Sequence, residues 1–450
     1  MRLYFYLIIA VFRRFVLHHN TGQVICNFSE RMGVVYIKVA QILAMQNFGD
    51  VFTESDRERL ASICDHCNPI EFQEIAKIIE SEYGVPLYET FQYIDPEPLG
   101  SASISQVHRA VLKDGRVVAV KVKRHDVVRK IRRDIRQIKH LVHRFGKIAK
   151  LRNFIGSDYA LEYYTNWIYE ECDFENEQIH LLRYREFADS VNGKVEGTGK
   201  ILAPKLYREF CTKNIIIMEY IEYPTVNQLS LTPENKAKIS KVVNDYLQLS
   251  FYALLNDLPV VFHGDPHAGN VYINDNGDVG FLDMGLIFEF KDEDSKFVQD
   301  LFLYSYMDRP EELLDLLLDR SNFREVDRSA LLVGIRRELK RLHSIPVSQF
   351  FIEMIGLFTQ FDVAPPALVF EMAKAFVSLY GMGNMANNAI STNELLAEQI
   401  TEYYVQRATN SIQEALWGWS KVFAELTSRF WSGELILPTL EHMAKTWDQP

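Results

Sequence analysis

The chain has 450 residues, of which 48% are apolar and 24% are charged, and its formal net charge is −11. These values are typical of a globular protein with two or three domains and exclude an intrinsically disordered chain. The negative charge argues against nucleic acid as the main partner. Five cysteines are few and odd in number, which favours free thiols in a reducing compartment over a disulfide framework. We therefore expect a cytoplasmic protein, either soluble or bound peripherally at the inner face of a membrane.

The N-terminal region, residues 1–92, has helical patterns throughout. Its first apolar run, residues 3–12, is too short to cross a bilayer, which takes about 20 residues. Because Arg13 and Arg14 follow this run instead of preceding it, the segment also lacks the pattern of a secretory signal. Two interpretations stay open, a helix packed on the core and a shallow interfacial anchor.

Polar residues mark three further places in this region. Lys38 and Gln41 lie three residues apart in "YIKVAQILAMQ", so they share one face of a helix and need polar partners if they are buried. Thr53 and Asp56 have the spacing of a capping box, and Gly84 is expected to end a helix. The sequence "CDHC" at 64–67 has the spacing of half a zinc site, but no second pair follows it.

Strand patterns begin at about residue 93. Two β-branched runs are joined by Asp114 and Gly115, which predicts a β-hairpin. A loop of small residues precedes the hairpin, and such a loop lets backbone groups approach a phosphate. The loop residues are Gly100, Ser101, Ala102 and Ser103.

A basic segment follows, residues 121–152, with thirteen Lys or Arg and two Asp. Apolar residues recur in it every three or four positions, which predicts an amphipathic helix. The helix could pack on the core with its basic face in solvent, or it could lay that face on anionic lipid. The apolar positions are Val127, Ile131, Ile135, Ile138, Val142, Phe145 and Ile148.

A second helix is predicted at residues 160–187, and strand patterns return at 201–210 and 214–222. The last of these strands ends near Glu219 and Ile221, where exposed backbone groups are suited to bonding an adenine edge. Beyond about residue 232 the pattern is helical to the end, apart from residues 261–285.

Residues 261–285, "VFHGDPHAGNVYINDNGDVGFLDMG", hold the densest polar chemistry of the chain. Asp265 and Asn270 lie in an H-x-D-x-x-x-x-N pattern, and Asp283 follows thirteen residues after Asn270, across a turn predicted at "NDNG". Phosphoryl transfer needs one carboxylate to orient the attacking oxygen, and an amide oxygen with a second carboxylate to hold Mg²⁺. Asp265 is therefore the candidate base, and Asn270 and Asp283 are the candidate metal ligands.

Two other interpretations of this segment are open. Its Asp and Asn residues could merely cap turns, or His263, Asp265 and His267 could bind a transition metal. Lys121, at the end of "VVAVK", favours a nucleotide site because it can supply a point charge to the α- and β-phosphates. Glu177 is the candidate acid that holds this lysine.

Taken in order, these motifs resemble those of the UbiB/AarF family of atypical, protein-kinase-like ATPases, which includes the ADCK proteins and the yeast coenzyme Q kinase. "PLGSASISQVHRA" is similar to the alanine-rich loop of the family. "EECDFENE" is similar to its E-x-D motif, here Glu171 and Asp173, with Glu177 six residues after Glu171. "YIKVAQILAMQ" is similar to its K-x-G-Q signature, here Lys38 and Gln41.

The resemblance runs from about residue 30 to about residue 380, with several departures. Ala40 replaces the signature glycine, and Met284 replaces the phenylalanine of D-F-G. The polar C-terminal segment does not resemble the paired membrane helices of the bacterial ubiquinone-linked branch. These departures weaken the assignment to that branch more than the assignment to the family.

Strands gathered before a long helical part predict an α+β fold with two lobes, and the resemblance implies a protein-kinase-like one. We expect an N-terminal helical extension at 1–92, a small β-rich lobe with a helical insert at 93–222, and a large helical lobe at 223–450. The resemblance further implies that Lys38 pairs with Glu171 and Asp173 over the cleft and that this extension suppresses protein kinase activity.

The activity implied is binding of Mg-ATP with slow hydrolysis, or phosphoryl transfer to a small molecule or lipid. The cofactors implied are ATP and Mg²⁺, and the partners are an anionic membrane surface and a lipid or quinone precursor. The resemblance points to isoprenoid-quinone or other lipid metabolism. Two further classes stay open: a small-molecule kinase of the aminoglycoside or choline phosphotransferase type, and a pseudokinase scaffold that binds nucleotide without chemistry.

Overall fold

The computed structural model describes residues 20–45, 69–145 and 165–386, apart from residues 257, 324, 343 and 362, with a few residues between 6 and 14 and at 53, 55 and 56. Most of the apolar run at 3–12, the "CDHC" sequence at 64–67 and the helices predicted beyond residue 386 lie outside the described residues.

Helices and strands follow one another in the predicted order, with strands concentrated between residues 91 and 123. The helices are α1 (Thr21–Met32), α2 (Val34–Met45), α3 (Phe72–Tyr83), α4 (Leu87–Thr90), α5 (Val127–Phe145), α6 (Phe174–Val191), α7 (Pro233–Leu255), α8 (Asp292–Tyr306), α9 (Pro310–Asp319), α10 (Arg328–Leu342), α11 (Val347–Gln360) and α12 (Ala367–Met385). The strands are β1 (Phe91–Ser101), β2 (Ser105–Leu112), β3 (Val117–Lys123), β4 (Ile201–Leu202), β5 (Ile215–Glu219), β6 (Val260–His263), β7 (Val271–Ile273), β8 (Val279–Phe281) and β9 (Ile287–Phe290).

The small lobe is built on an antiparallel sheet with the strand order β1-β2-β3-β5. The predicted hairpin joins β2 to β3, and Gly115 in its turn has a φ of 87°, a left-handed conformation that glycine adopts without strain. Ile75 and Ile79 of α3 are fully buried against this sheet in one hydrophobic cluster. Helix α3 therefore packs with the small lobe, although its sequence pattern groups it with the preceding helices.

Two of the predicted helix boundaries are confirmed. Gly84 ends α3 in a left-handed conformation with a φ of 70°, and its N–H donates to the carbonyl of Glu80 at 2.8 Å. Thr53 and Asp56 form the predicted capping box. The N–H of Thr53 donates to Asp56 Oδ2 at 3.0 Å, and the N–H of Asp56 donates to Thr53 Oγ1 at 3.2 Å.

The large lobe packs helices α7 to α12 around a second hydrophobic cluster, to which β6 to β9 contribute their apolar side chains. The turn predicted at "NDNG" is present, since Asn274 Oδ1 accepts from the N–H groups of Asn276 and Asp278 at 3.0 and 2.9 Å. The prolines at 365 and 366 separate α11 from α12. Sheet and helices thus form the α+β, two-lobed kinase-like fold that the sequence predicts.

Helix α5 carries the basic face, and its apolar face packs on the core. Ile131, Ile135 and Ile138 are buried in the large hydrophobic cluster, whereas Arg132 and Arg136 are exposed. Core packing of this helix is confirmed, and contact of its basic face with lipid stays a prediction. Among the described residues, no helix combines the length and the apolar composition that a bilayer span requires.

Two predicted elements are wrong in extent. The helix predicted at 160–187 is interrupted, because residues 171–172 form a turn and α6 begins only after Asp173, which caps it. The strand predicted at 201–210 is limited to Ile201–Leu202 and is followed by a short 3₁₀ turn, Arg208–Phe210. Pro204 explains the second error, since proline cannot donate to a strand ladder.

Candidate functional site

Lys121 connects the two lobes through a pair of carboxylates. Strand β3 directs its side chain inward, and Lys121 Nζ lies 2.6 Å from Glu177 Oε1 on α6 and 3.1 Å from Asp283 Oδ2 of the large lobe. The side chains of Lys121 and Glu177 are nearly fully buried, whereas that of Asp283 is 41% exposed. The arrangement therefore opens to solvent on the side of Asp283.

Burial and charge act in opposite directions on these three groups. Burial would lower the pKa of Lys121, but the carboxylates of Asp283 and Glu177 raise it above its ordinary value. Burial would raise the pKa of Asp283, but Lys121 lowers it to about 2. For Glu177, burial outweighs Lys121 and raises the pKa to about 7. Glu177 Oε2 is buried and has no hydrogen-bond partner, so one acceptor remains available.

The loop that carries Asp283 is fixed by backbone contacts. Asp283 Oδ1 accepts from the N–H of Gly285 at 2.8 Å, which leaves Oδ2 toward Lys121. Met284, in place of the family phenylalanine, is 1% exposed and fills the core. Its carbonyl accepts from His180 Nδ1 at 3.0 Å, so helix α6 holds this loop one turn beyond Glu177.

His263 uses both of its ring nitrogens inside the protein. Nδ1 accepts from the N–H of Asp265 at 3.1 Å, and Nε2 donates to the carbonyl of Asp283 at 2.6 Å. Burial lowers the pKa of His263 to about 4, so the ring is neutral at ordinary pH. Within the described part of the chain, no group of His, Cys, Asp and Glu has the geometry of a multidentate metal site. The alternative of a transition metal held by His263, Asp265 and His267 is therefore wrong.

Asp265 lies at the start of the loop and is held by helix α12. Its Oδ1 accepts from Ser378 Oγ at 3.0 Å, and its Oδ2 lies 3.3 Å from Lys374 Nζ. Burial would raise its pKa, but Lys374, His267 and Lys38 together lower it far below the ordinary value. Asp265 is thus an ionised carboxylate with a fixed orientation.

Asn270 lies beside the strand that leads to Asp283. The N–H of Leu282 donates to the carbonyl of Asn270 at 2.9 Å, which ties the two predicted metal ligands together through the backbone. The side-chain amide of Asn270 makes no hydrogen bond to any described residue. Its oxygen is free to bind another group.

The small-residue loop lies at the tip between β1 and β2, and Arg124 holds it. Arg124 Nε donates to the carbonyl of Ala102 at 2.9 Å, and Nη2 donates to Ser101 Oγ at 2.7 Å. A Cβ atom added at Gly100 would meet no atom within 4 Å. The loop, which includes Ser103, therefore borders open space at Gly100.

The strand between the lobes has one backbone group already in use. The N–H of Glu219 donates to the carbonyl of Lys205 at 2.8 Å, and Glu219 Oε2 accepts from the N–H of Lys205 at 3.0 Å. The N–H of Glu219 is thus unavailable to an adenine. Ile221 follows the strand and is half-buried.

The N-terminal helices reach the site through Lys38. Lys38 Nζ forms an ion pair with Glu171, and both side chains are mostly buried. Asp173, the second acid of the motif, instead accepts from the N–H groups of Glu175 and Asn176 at 3.0 and 3.2 Å and caps α6. Gln41 lies in the same helix as Lys38, but its side chain is outside the described residues.

Sequence reasoning missed three side chains that hold the site, namely Lys374, Ser378 and Arg124. The two residues on α12 lie over a hundred positions after Asp265, and no motif spacing links such distant residues. Arg124 directly follows the predicted β3 strand, but the sequence analysis assigned it to the basic helix segment.

Comparison with known proteins gives one family. Residues 62–314 match the family model described as the ABC1 atypical kinase-like domain. A chloroplastic aarF domain-containing protein kinase of Arabidopsis thaliana, named as uncharacterized, is 28% identical over 58% of this chain and 35% of its own length. A probable protein kinase UbiB of Haemophilus ducreyi is 24% identical over 80% of this chain and 67% of its own length.

Among solved structures, a complex of Rv3197 from Mycobacterium tuberculosis with erythromycin matches with a TM-score of 0.45 and 19% identity. That match covers 77% of this chain and 86% of the other. The chain spans about a third of the length of the Arabidopsis relative.

Proposed function

Because the chain belongs to the ABC1 atypical kinase-like family, we propose that it binds Mg-ATP between its lobes and hydrolyses it or transfers the γ-phosphoryl group to a small molecule or lipid. The contact of Lys121 with both Glu177 and Asp283 carries this proposal. A lysine from the small lobe and a carboxylate from the large lobe meet at the edge of solvent, where a triphosphate with its metal would join them.

The oxygen donors suit magnesium. Mg²⁺ is bound through one or two carboxylates together with substrate phosphates, and it seldom uses a complete protein cage. Asp283 Oδ2 is partly exposed, the amide of Asn270 has no partner among the described residues, and buried Glu177 Oε2 has none. In this proposal Asn270 and Asp283 hold the ion, which would neutralise charge on the phosphates, and Lys121 contacts the α- and β-phosphates.

The small-residue loop and the strand between the lobes supply the rest of the nucleotide site. Gly100 borders open space, and Arg124 fixes the backbone of Ala102, so this loop can bring N–H groups to the phosphates. At Glu219 the carbonyl is the group proposed to contact adenine, since the N–H is engaged by Lys205.

Asp265 is proposed to orient the attacking oxygen. Its pKa lies far below the ordinary value, so it is a weak base, and catalysis would depend on orientation more than on proton uptake. A slow ATPase or transferase is the activity that this chemistry supports best. The ion pair of Lys38 with Glu171 would act above this carboxylate, where it limits which acceptor can enter.

A role at a membrane and a role in quinone metabolism are proposed from more general observations. Several relatives are named probable protein kinase UbiB, which motivates a role in isoprenoid-quinone or lipid metabolism. The exposed basic face of α5 is suited to an anionic surface. Both statements are proposals about this chain.

The test measures Mg-ATP binding by calorimetry and ATP hydrolysis with and without anionic liposomes, in wild type and variants. Asp283→Asn should lose most Mg-dependent ATP affinity, whereas Lys38→Ala should keep binding and change turnover or nucleotide preference. Asp275→Asn is the matched control, because Asp275 is an exposed turn residue close to the same hairpin.

Three results would change the proposal. Equal Mg-ATP affinity in Asp283→Asn and wild type would contradict the metal assignment. Binding without turnover under every condition would favour the pseudokinase scaffold. Fast transfer to a soluble alcohol would favour a small-molecule kinase.

A further inference from the structure

Helix α12 enters the candidate site from far along the chain and contacts Asp265 with two side chains. Ser378 Oγ donates to Asp265 Oδ1 at 3.0 Å, and Lys374 Nζ lies 3.3 Å from Oδ2. The two residues are four apart, so they project from one face of α12 on successive turns. Each oxygen of the carboxylate thus has its own partner.

The loop itself offers His267 but no lysine or arginine for this contact. Between His263 and Asn270 the sequence "HGDPHAGN" contains neither lysine nor arginine. The groups that face Asp265 are His267 on its own loop, Lys38 on α2, and Lys374 and Ser378 on α12. Lys38 is already paired with Glu171, which leaves Lys374 as the cation in direct contact with Asp265.

Lys374 is itself confined. Its side chain is 15% exposed, and its Nζ lies 4.9 Å from the centroid of the Trp167 ring. Trp167 in turn stacks on Phe288 at 6.0 Å, within the large core. An ammonium between an aromatic face and a carboxylate has little freedom to move, so its direction is set by the packing.

We propose that Lys374 and Ser378 are positioning residues of the phosphoryl-transfer site, which fix the plane of the Asp265 carboxylate and keep it ionised. This inference rests on the proposed function. In that function Asp265 orients the attacking oxygen, and here α12 is assigned the orientation of Asp265. Neither residue contacts Lys121 or Asp283 in the described structure, so nucleotide binding and positioning are separable.

The effect on turnover follows from geometry. The side chain of Asp265 is 35% exposed, and a partly buried carboxylate that loses its cation changes both its orientation and its protonation. Small displacements of catalytic groups reduce rates by about a hundredfold. Lys374→Met should therefore lower kcat for ATP hydrolysis by about a hundredfold, while KM for Mg-ATP stays within about twofold. Ser378→Ala removes one hydrogen bond and should lower kcat by about tenfold.

The experiment measures kcat, KM and the pH dependence of hydrolysis in wild type, Lys374→Met, Lys374→Arg and Ser378→Ala. Lys374→Met removes the charge that opposes burial most strongly, so the acidic limb of the kcat profile should move up by about 1 to 3 pH units. Lys374→Arg keeps the charge and should recover most of kcat. Unchanged kcat and an unmoved acidic limb in Lys374→Met would overturn the inference.

A second readout does not need turnover. Unfolding temperatures are measured for Lys374→Met, Asp265→Asn and the double variant, and the same cycle is made for the remote pair Lys241 and Asp245 on α7. Substituting one residue of the Lys374–Asp265 pair should lower the unfolding temperature more than substituting both residues. The changes in unfolding temperature should therefore be non-additive.

Failure of the proposed function can thus be distinguished from failure of the inference about Lys374 and Ser378. If wild type binds Mg-ATP and never hydrolyses it, the proposed function fails, and the unfolding cycle then tests only the contact between Lys374 and Asp265. Additive shifts in that cycle overturn the contact between Lys374 and Asp265. Non-additive shifts support it.

Discussion

At the scale of single residues, Gly280 shows why one position in β8 accepts no side chain. Gly280 is paired with Tyr272 of β7, and a Cβ atom added to it would lie 1.9 Å from Tyr272 Cζ. The ring of Tyr272 is buried and stacks on Tyr223 with centroids 6.0 Å apart and an interplanar angle of 2°, so a side chain at position 280 would displace this stack. This stack lies two residues beyond Asn270 and so supports the candidate metal site.

Gly280→Ala is predicted to destabilise the protein. Overpacking of this kind costs about 1–3 kcal/mol in the free energy of unfolding, and it should also weaken Mg-ATP binding by displacing β7. Gly356→Ala on α11 is the matched control, because its Cβ would meet no atom within 4 Å and alanine favours a helix. Urea unfolding curves give the free energy of unfolding of both variants. Equal free energies of unfolding in Gly280→Ala and Gly356→Ala would contradict the prediction.

The sequence predicted the residues of the candidate site better than their partners. Lys121, Glu177 and Asp283 were chosen from order and spacing, and the structure brings their charged atoms together. Asp173 was expected beside Lys38, but its carboxylate caps α6. The difference is physical, since an aspartate followed directly by a helix start satisfies free backbone N–H groups.

At the scale of elements, helix α6 is the part that joins the lobes. Glu177 contacts Lys121 of the small lobe, and His180 donates to the carbonyl of Met284 in the large lobe. Arg183 forms an ion pair with Glu289 on β9. These three residues are spaced by three, so one face of α6 holds Lys121, the metal-binding loop and β9 together. The position of this helix therefore sets the geometry of the site.

Asp173→Ala is predicted to disturb this position. Loss of an N-cap costs about 1 kcal/mol in stability, and here it frays the first turn, which holds Glu177. Mg-ATP affinity should fall together with stability, as measured by calorimetry and thermal unfolding.

Thr232→Ala is the matched control for that change. Thr232 caps α7 by accepting from the N–H of Asn235 at 3.2 Å, and α7 does not carry a site residue. The control should lose similar stability and keep its Mg-ATP affinity. If both variants bind Mg-ATP as wild type does, the cap of α6 has no role in the site.

At the scale of the whole molecule, the buried apolar residues form two clusters: one lies against the small-lobe sheet, and the other extends from the large lobe to α5, α6 and Ile216 of β5. The order of strands and helices was predictable from periodicity, because each element has a local pattern. The convergence of α12 on Asp265 was not, because packing between elements far apart in sequence leaves no local signal.

A buried histidine makes the small lobe sensitive to acid. His108 is fully buried on β2, where its Nδ1 donates to the carbonyl of Asp95 at 2.7 Å and its Nε2 accepts from Gln106 Nε2 at 3.0 Å. Gln106 in turn bonds the N–H and the carbonyl of Ile70, at 2.9 and 3.1 Å. Protonation of His108 would turn Nε2 into a donor facing an amide NH₂, and this network would break.

The sign of the pH dependence follows from linkage. Burial lowers the pKa of His108 below its ordinary value, so the unfolded chain binds more protons than the folded one as the pH falls below about 6.5. The stability that neutral His108 supports is complete above that pH and is lost on acidification. His263 of the large lobe follows the same linkage, because burial lowers its pKa to about 4. We therefore expect both lobes to lose stability below about pH 6.5, and substitution of His108 to remove the part of this loss that belongs to the small lobe.

Hydrogen exchange at pH 7.5 and 5.5, corrected for intrinsic rates, tests this expectation. Amides of β1 to β3 should lose protection at pH 5.5 relative to pH 7.5. His108→Gln removes the titrating ring and should flatten the pH dependence of the small lobe, although it starts from a lower stability. His125→Gln is the control, since this ring is exposed and should leave the wild-type pH dependence unchanged. The same pH dependence of the small lobe in His108→Gln and in wild type would show that His108 does not control its acid sensitivity.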